Sequence, residues 1–155
     1  MNQDEFARII AGVTATIVDR PLDAGLEVDL NTRYPAGGAT FQEIQGACRD
    51  AVAAGWMCSR EAGGIRFGRV LKPTAATHGF SVDVVEMNDV IGPHHVHPKG
   101  EIDLVLPLDP AARFDGRGAG WKVYAPGSAH SPTVTQGRAW VLYLLPDGEI
   151  EFSRA

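Results

Sequence analysis

The sequence has little of several things, and each shortage excludes a class of protein. Only two cysteines, Cys48 and Cys58, occur in 155 residues. They are too few for a disulfide scaffold, and their spacing matches no zinc motif. Basic residues are scarce too: 14 Lys and Arg against 19 Asp and Glu leave a formal charge of −5. No Lys/Arg cluster offsets that balance, so neither nucleic acid nor an anionic membrane is an expected partner. No apolar run approaches the about 20 residues that span a bilayer. The N-terminus, MNQDEFARII, lacks the basic stretch and apolar run of a signal peptide. A cytoplasmic, reduced and soluble protein is expected.

What remains is the composition of one folded domain. At 45% hydrophobic and 21% charged residues, the chain buries too much apolar surface to be disordered. Eighteen Gly and ten Pro favour short strands and tight turns over a helix bundle. Two periods divide the chain. In residues 1–57, Phe6, Ile9, Ile10, Val13 and Ile17 recur at helical spacing. Pro21 suits the first turn of a second helix bearing Leu22, Leu26 and Leu30. Thr40 and Glu43 read as a capping box for a third, whose apolar face is Phe41, Ile44, Cys48, Val52 and Trp56. From 58 to 155 the period drops to two. Strands are expected at Ile65–Lys72, His78–Met87, Glu101–Leu106, Trp121–Ala125, Thr133–Thr135, Ala139–Leu145 and Glu149–Phe152. Seven short strands so spaced predict a mainly β barrel or jelly roll in a single domain, with about three N-terminal α-helices packed on it.

The histidines are few and clustered. Of five, His94, His95 and His97 lie within four residues. On an extended chain His95 and His97 point to one side and His94 to the other. After the turn Pro98-Lys99-Gly100, Glu101 opens the next strand, so two imidazoles and a carboxylate converge as ligands for a borderline divalent metal. His130, in the Pro126-Gly127-Ser-Ala-His turn, is the candidate fourth ligand.

These residues resemble the cupins. The family's first motif, H-x-H-x3-E, is similar to His95, His97 and Glu101, and its second, a Pro-Gly turn with a histidine three residues on, to Pro126, Gly127 and His130. The resemblance implies a cupin-type jelly-roll barrel with one metal inside. A narrower resemblance runs through Glu61-Ala-Gly-Gly-Ile-Arg-Phe-Gly-Arg-Val-Leu-Lys-Pro73, Thr77–Val85 and Phe114-Asp-Gly-Arg-Gly-Ala-Gly-Trp121 to the small bacterial 4-hydroxylaminobenzoate lyase family. It implies conversion of 4-hydroxylaminobenzoate and water to 3,4-dihydroxybenzoate and ammonia, a step in nitroaromatic breakdown.

That net reaction needs no external electron carrier, and no G-x-G-x-x-G follows a strand here, so no nucleotide cofactor is expected. A divalent ion (Fe, Mn, Ni, Co or Zn) would act as Lewis acid and water activator, and four protein ligands on an octahedral ion leave two positions open. A small aromatic acid needs a cation. Arg69 interrupts the face of Ile65, Phe67 and Leu71, and either binds the substrate carboxylate or pairs internally with Asp83 or Asp103. His78, on the face of Phe80, Val82 and Val84, is a candidate proton shuttle inside the barrel, or a hydrogen-bonded core residue. Glu101 and Tyr124 are further catalytic candidates, and Tyr124 also a substrate contact. Asp103 is a candidate to orient a ligand histidine, and His94, pointing away from the ligand side, is expected to support the site from behind or to lie at the surface. Trp121, Trp140 and Tyr143 read as core. The competing functions are a cupin dioxygenase or isomerase on a small aromatic or sugar acid, and a non-catalytic ligand-binding cupin. The face of Ile102, Leu104 and Leu106 needs a cover, from the helices or from a second subunit, and a homodimer is expected.

Overall fold

The structure is a computed structural model that describes residues 1–153. Helix α1 (Gln3–Thr14) starts where the Asn2 side chain accepts from the Glu5 N–H, and α2 (Ala24–Arg33) where Asp23 accepts from Leu26. Pro21 and Leu22 precede α2 rather than open it, because Asp23 supplies the stronger start signal. Helix α3 (Ala39–Ala54) begins after Gly38 with no side-chain cap, and the expected Thr40–Glu43 box does not form. A tight turn closed by Gly38 N–H to Pro35 C=O starts the helix two residues early, which puts Thr40 inside the first turn. The apolar stripes go where their period sends them: Phe6, Ile10, Val13, Leu26, Leu30, Phe41, Ile44 and Cys48 are buried in one core. Burial pushes the thiols of both Cys48 and Cys58 up to about 12, so neither is a nucleophile at neutral pH.

The strands are β1 (Arg60–Ala62), β2 (Ile65–Leu71), β3 (Phe80–Ile91), β4 (His95–His97), β5 (Glu101–Pro107), β6 (Arg113–Phe114), β7 (Gly120–Tyr124), β8 (Ser128–His130), β9 (Thr133–Pro146) and β10 (Glu151–Phe152). They form two antiparallel sheets, one in the order β1-β2-β3-β9-β5-β7 with β6 on β9, the other β10-β4-β8. The strands expected at Thr133–Thr135 and Ala139–Leu145 are one continuous β9. Gln136 and Gly137, at φ of +62° and +128°, absorb an irregularity opposite Asp89, whose carboxylate accepts from the Gln136 N–H at 2.6 Å.

Strand alternation in the large sheet separates two environments. Outward, Val82, Val84, Ile102, Leu104, Leu106, Leu142 and Leu144 join the helical core. The face that called for a cover is therefore covered by the chain's own helices, and it supplies no argument for a homodimer. Inward, Met87, Val105, Val141, Tyr143 and Leu145 form a second cluster. Among the described residues no helix is long and apolar enough to cross a membrane.

Candidate metal centre

The small sheet brings the histidines together by register. His95 on β4 lies opposite His130 on β8, and His97 opposite Ser128. The chain then turns through Gly100, whose φ of +89° and 2.8 Å approach of a Cβ to the Tyr124 carbonyl admit only glycine. The turn carries Glu101 into the large sheet, facing the imidazoles. His95, His97 and Glu101 are 1% exposed or less, and one donor atom from each of these and from His130 lies within 4.8 Å of all the others.

Hydrogen bonds fix the imidazole tautomers. Nδ1 of His95 sits 3.1 Å from the Pro93 carbonyl, which can only accept. Nδ1 of His97 sits 3.0 Å from Ser128 Oγ, whose own proton goes to the Ala125 carbonyl. Nδ1 of His130 sits 2.6 Å from Asp115 Oδ2. Each Nδ1 is thereby a donor, so a ring that carries no second proton presents its Nε2 lone pair inward. The His130 and His95 Nε2 atoms are 3.1 Å apart, and Glu101 oxygens lie 3.3 Å from His97 Nε2 and 3.6 Å from the other two. Nitrogen and oxygen donors at about 2.0–2.2 Å from one first-row ion lie about 2.8–3.6 Å from each other. His97 Nε2 and both Glu101 oxygens are buried with no hydrogen-bond partner among the described residues. Inward lone pairs, an unpartnered carboxylate and these separations fit a divalent cation.

Electrostatics agree. Burial alone would raise the Glu101 carboxyl, but the imidazoles of His130, His95 and His97 outweigh it and hold it well below the usual carboxylate range. Burial opposes charge on His130 as well, yet Asp115 and Glu101 raise it to about 9. An imidazolium proton thus answers the negative charge that a metal would otherwise answer. Asp103 is the opposite case: burial and the Glu101 charge push it well above its ordinary value.

Beside this cluster a cavity of about 340 Å³ opens between the sheets. Phe67, Val85, Met87 and Ile150 give it apolar walls, His95 belongs to both cavity and cluster, and Arg69 and Asp83 stand within its lining. The structure places the other candidates variously. Arg69 keeps the face of Ile65 and Phe67, but an irregularity after it turns Leu71 to the helical core, and Arg69 is exposed and paired with Asp83 at 3.0 and 3.2 Å. His78 does not lie on a strand: β3 starts at Phe80, and His78, at φ +54°, bonds Thr14 Oγ1 through Nδ1 at 2.8 Å beneath the helices. The face it was expected to share is the helix-packed one, so no route leads from it into the barrel. Asp103 is buried facing inward, but the ligand histidines take their partners elsewhere. His94 is exposed against Ser153. Tyr124 packs at a tilt against His130, with centroids 4.4 Å apart, and donates its hydroxyl proton to Asp115.

Three contributors escaped the sequence reading. Asp115, at φ +49°, accepts from His130, Tyr124 and the Thr133 N–H at once. Its place in Phe114-Asp-Gly-Arg117 was the available signal. Ser128 was legible only as part of the Pro-Gly turn, and Tyr143 looked like core.

The model of the family described as "PnbB: 4-hydroxylaminobenzoate lyase" matches residues 8–152. The 4-hydroxylaminobenzoate lyase of Pseudomonas putida is 34% identical, covering 97% of this chain and 95% of its own. That of Nocardioides sp. (strain LMS-CY) is 33% identical, covering 86% and 85%. Among solved structures, an RmlC-like cupin protein from Ralstonia eutropha is similar with a TM-score of 0.47 and 12% identity, over 64% of this chain and 66% of that one.

Proposed function

The chain belongs to the 4-hydroxylaminobenzoate lyase family, and from that premise we propose that it converts 4-hydroxylaminobenzoate and water to 3,4-dihydroxybenzoate and ammonia at a single divalent metal. The observation that carries the reading is the set of three tautomer-fixed imidazoles and one unpartnered buried carboxylate, placed against a cavity of aromatic size. A divalent ion held by His95, His97, Glu101 and His130 supplies a Lewis acid and a bound water of lowered pKa.

The chain's own residues do the rest. Phe67, Val85, Met87 and Ile150 take the ring and exclude water from it. Arg69, pre-set by the Asp83 fork and the Gly148 carbonyl, meets the substrate carboxylate. Asp115 keeps the His130 Nδ1 proton in place, so Nε2 faces the reaction. Tyr124 braces that carboxylate from the other side. Because water enters and ammonia leaves with no net electron transfer, the barrel needs no nucleotide site. Two free, buried thiols accord with a cytoplasmic setting.

The test is turnover under strict anaerobiosis with metal-loaded protein. The proposal expects equal amounts of ammonia and 3,4-dihydroxybenzoate. A requirement for oxygen, or no ammonia from metal-loaded protein, would reject it in favour of a dioxygenase or a binding protein.

A further inference from the structure

Tyr143 has a position that packing alone does not explain. Cross-strand register places it at the centre of a polar row across the inner face of the large sheet, in the order Arg69, Asp83, Tyr143, Asp103, Lys122. The residue is 6% exposed, and what it exposes lines the cavity. Its ring packs near Phe114 and His95, with centroids 6.4 and 6.5 Å away. Phenylalanine would fill those contacts equally well. Its hydroxyl makes no hydrogen bond to another described residue, and it is not sealed in the core but opens on the cavity. A hydroxyl that opens on the cavity with no partner in the protein is free to hydrogen-bond a ligand there.

We propose that Tyr143 is a catalytic residue whose O–H donates a hydrogen bond to the polar group para to the substrate carboxylate. Arg69 is the cation in the cavity lining, and His95 joins the cavity to the candidate metal ligands. A para-substituted benzoate with its carboxylate on Arg69 therefore turns its other polar end toward His95, beside which Tyr143 stands. The contact orients the ring and rejects acids that lack an acceptor there, because they leave the hydroxyl unpaired. That the group is a hydroxylamine rests on the lyase reading. The contact itself requires only a para oxygen or nitrogen.

Metal-loaded wild type and Tyr143→Phe are compared by calorimetric titration with 4-hydroxybenzoate and with benzoate. The variant is expected to bind 4-hydroxybenzoate about tenfold more weakly and benzoate at least as tightly as wild type. Its metal content and melting temperature should be unchanged, and kcat/KM for 4-hydroxylaminobenzoate should fall about ten- to hundredfold. Unchanged affinity for 4-hydroxybenzoate overturns the proposal, whatever the turnover. If wild type releases no ammonia but the variant still loses 4-hydroxybenzoate selectively, the contact stands and the lyase reading fails.

Discussion

The two faces of the large sheet are built from the same strands and do opposite work. On β5, Ile102, Leu104 and Leu106 point outward into the helical core, while Glu101 and Asp103 point inward between the sheets. On β9, Leu142 and Leu144 point out and Tyr143 points in. The outer face gains stability from apolar burial. The inner face carries buried polar atoms without partners, among them both oxygens of Glu101 and of Asp103. Such atoms are costly in a folded chain. Helices α1–α3 supply the apolar surface against which that cost is tolerated, so the N-terminal region supports the site without touching it.

If the faces divide the work in this way, substitutions on them should separate chemistry from stability. The largest effect is expected inward: Glu101→Gln removes the one anionic ligand, and metal affinity should fall at least about a hundredfold with turnover lost, while the melting curve stays cooperative. Metal analysis and a chelator-competition titration check this. Outward, Leu104→Ala should cost about 2–5 kcal/mol of stability by denaturant titration and leave one metal per folded chain. A smaller, pH-dependent effect tests how the inner face balances charge. In metal-free protein His130 is raised from 6.5 to about 9, so the folded state holds that proton more tightly than the unfolded chain. Its stabilisation is complete below about 6.5 and is lost as pH rises through about 9. Asp115→Asn removes the anion that holds the proton, so this loss should shrink and move to lower pH. Stability curves at several pH values for both proteins would show it.

The outer face was the more legible of the two in the sequence. Helical and strand periods placed Ile10, Leu26, Ile44 and Leu104 correctly, because apolar burial is what periodicity reports. His95, His97 and Glu101 were legible for another reason: ligand spacing on a strand-turn-strand is a local property, whereas His130, distant in sequence, was legible only through its Pro126-Gly127 turn. The supporting residues were not. Asp115 lies 15 residues from His130 in sequence and meets it only through the fold. Tyr143 has the alternation of a core residue and differs from one only by an unpartnered hydroxyl. His78 misled because its alternation with Phe80 and Val82 suggested a strand, whereas Gly79, at φ +83°, keeps it in a turn.

The central claim is that four side chains from β4, β5 and β8 hold one cation. An anomalous-scattering map from crystals of the cobalt-loaded protein tests it most directly. The account predicts one peak per chain, about 2.0–2.2 Å from Nε2 of His95, His97 and His130 and bonded to Glu101. A map with no peak there, or with its peak at residues outside this set, would contradict it.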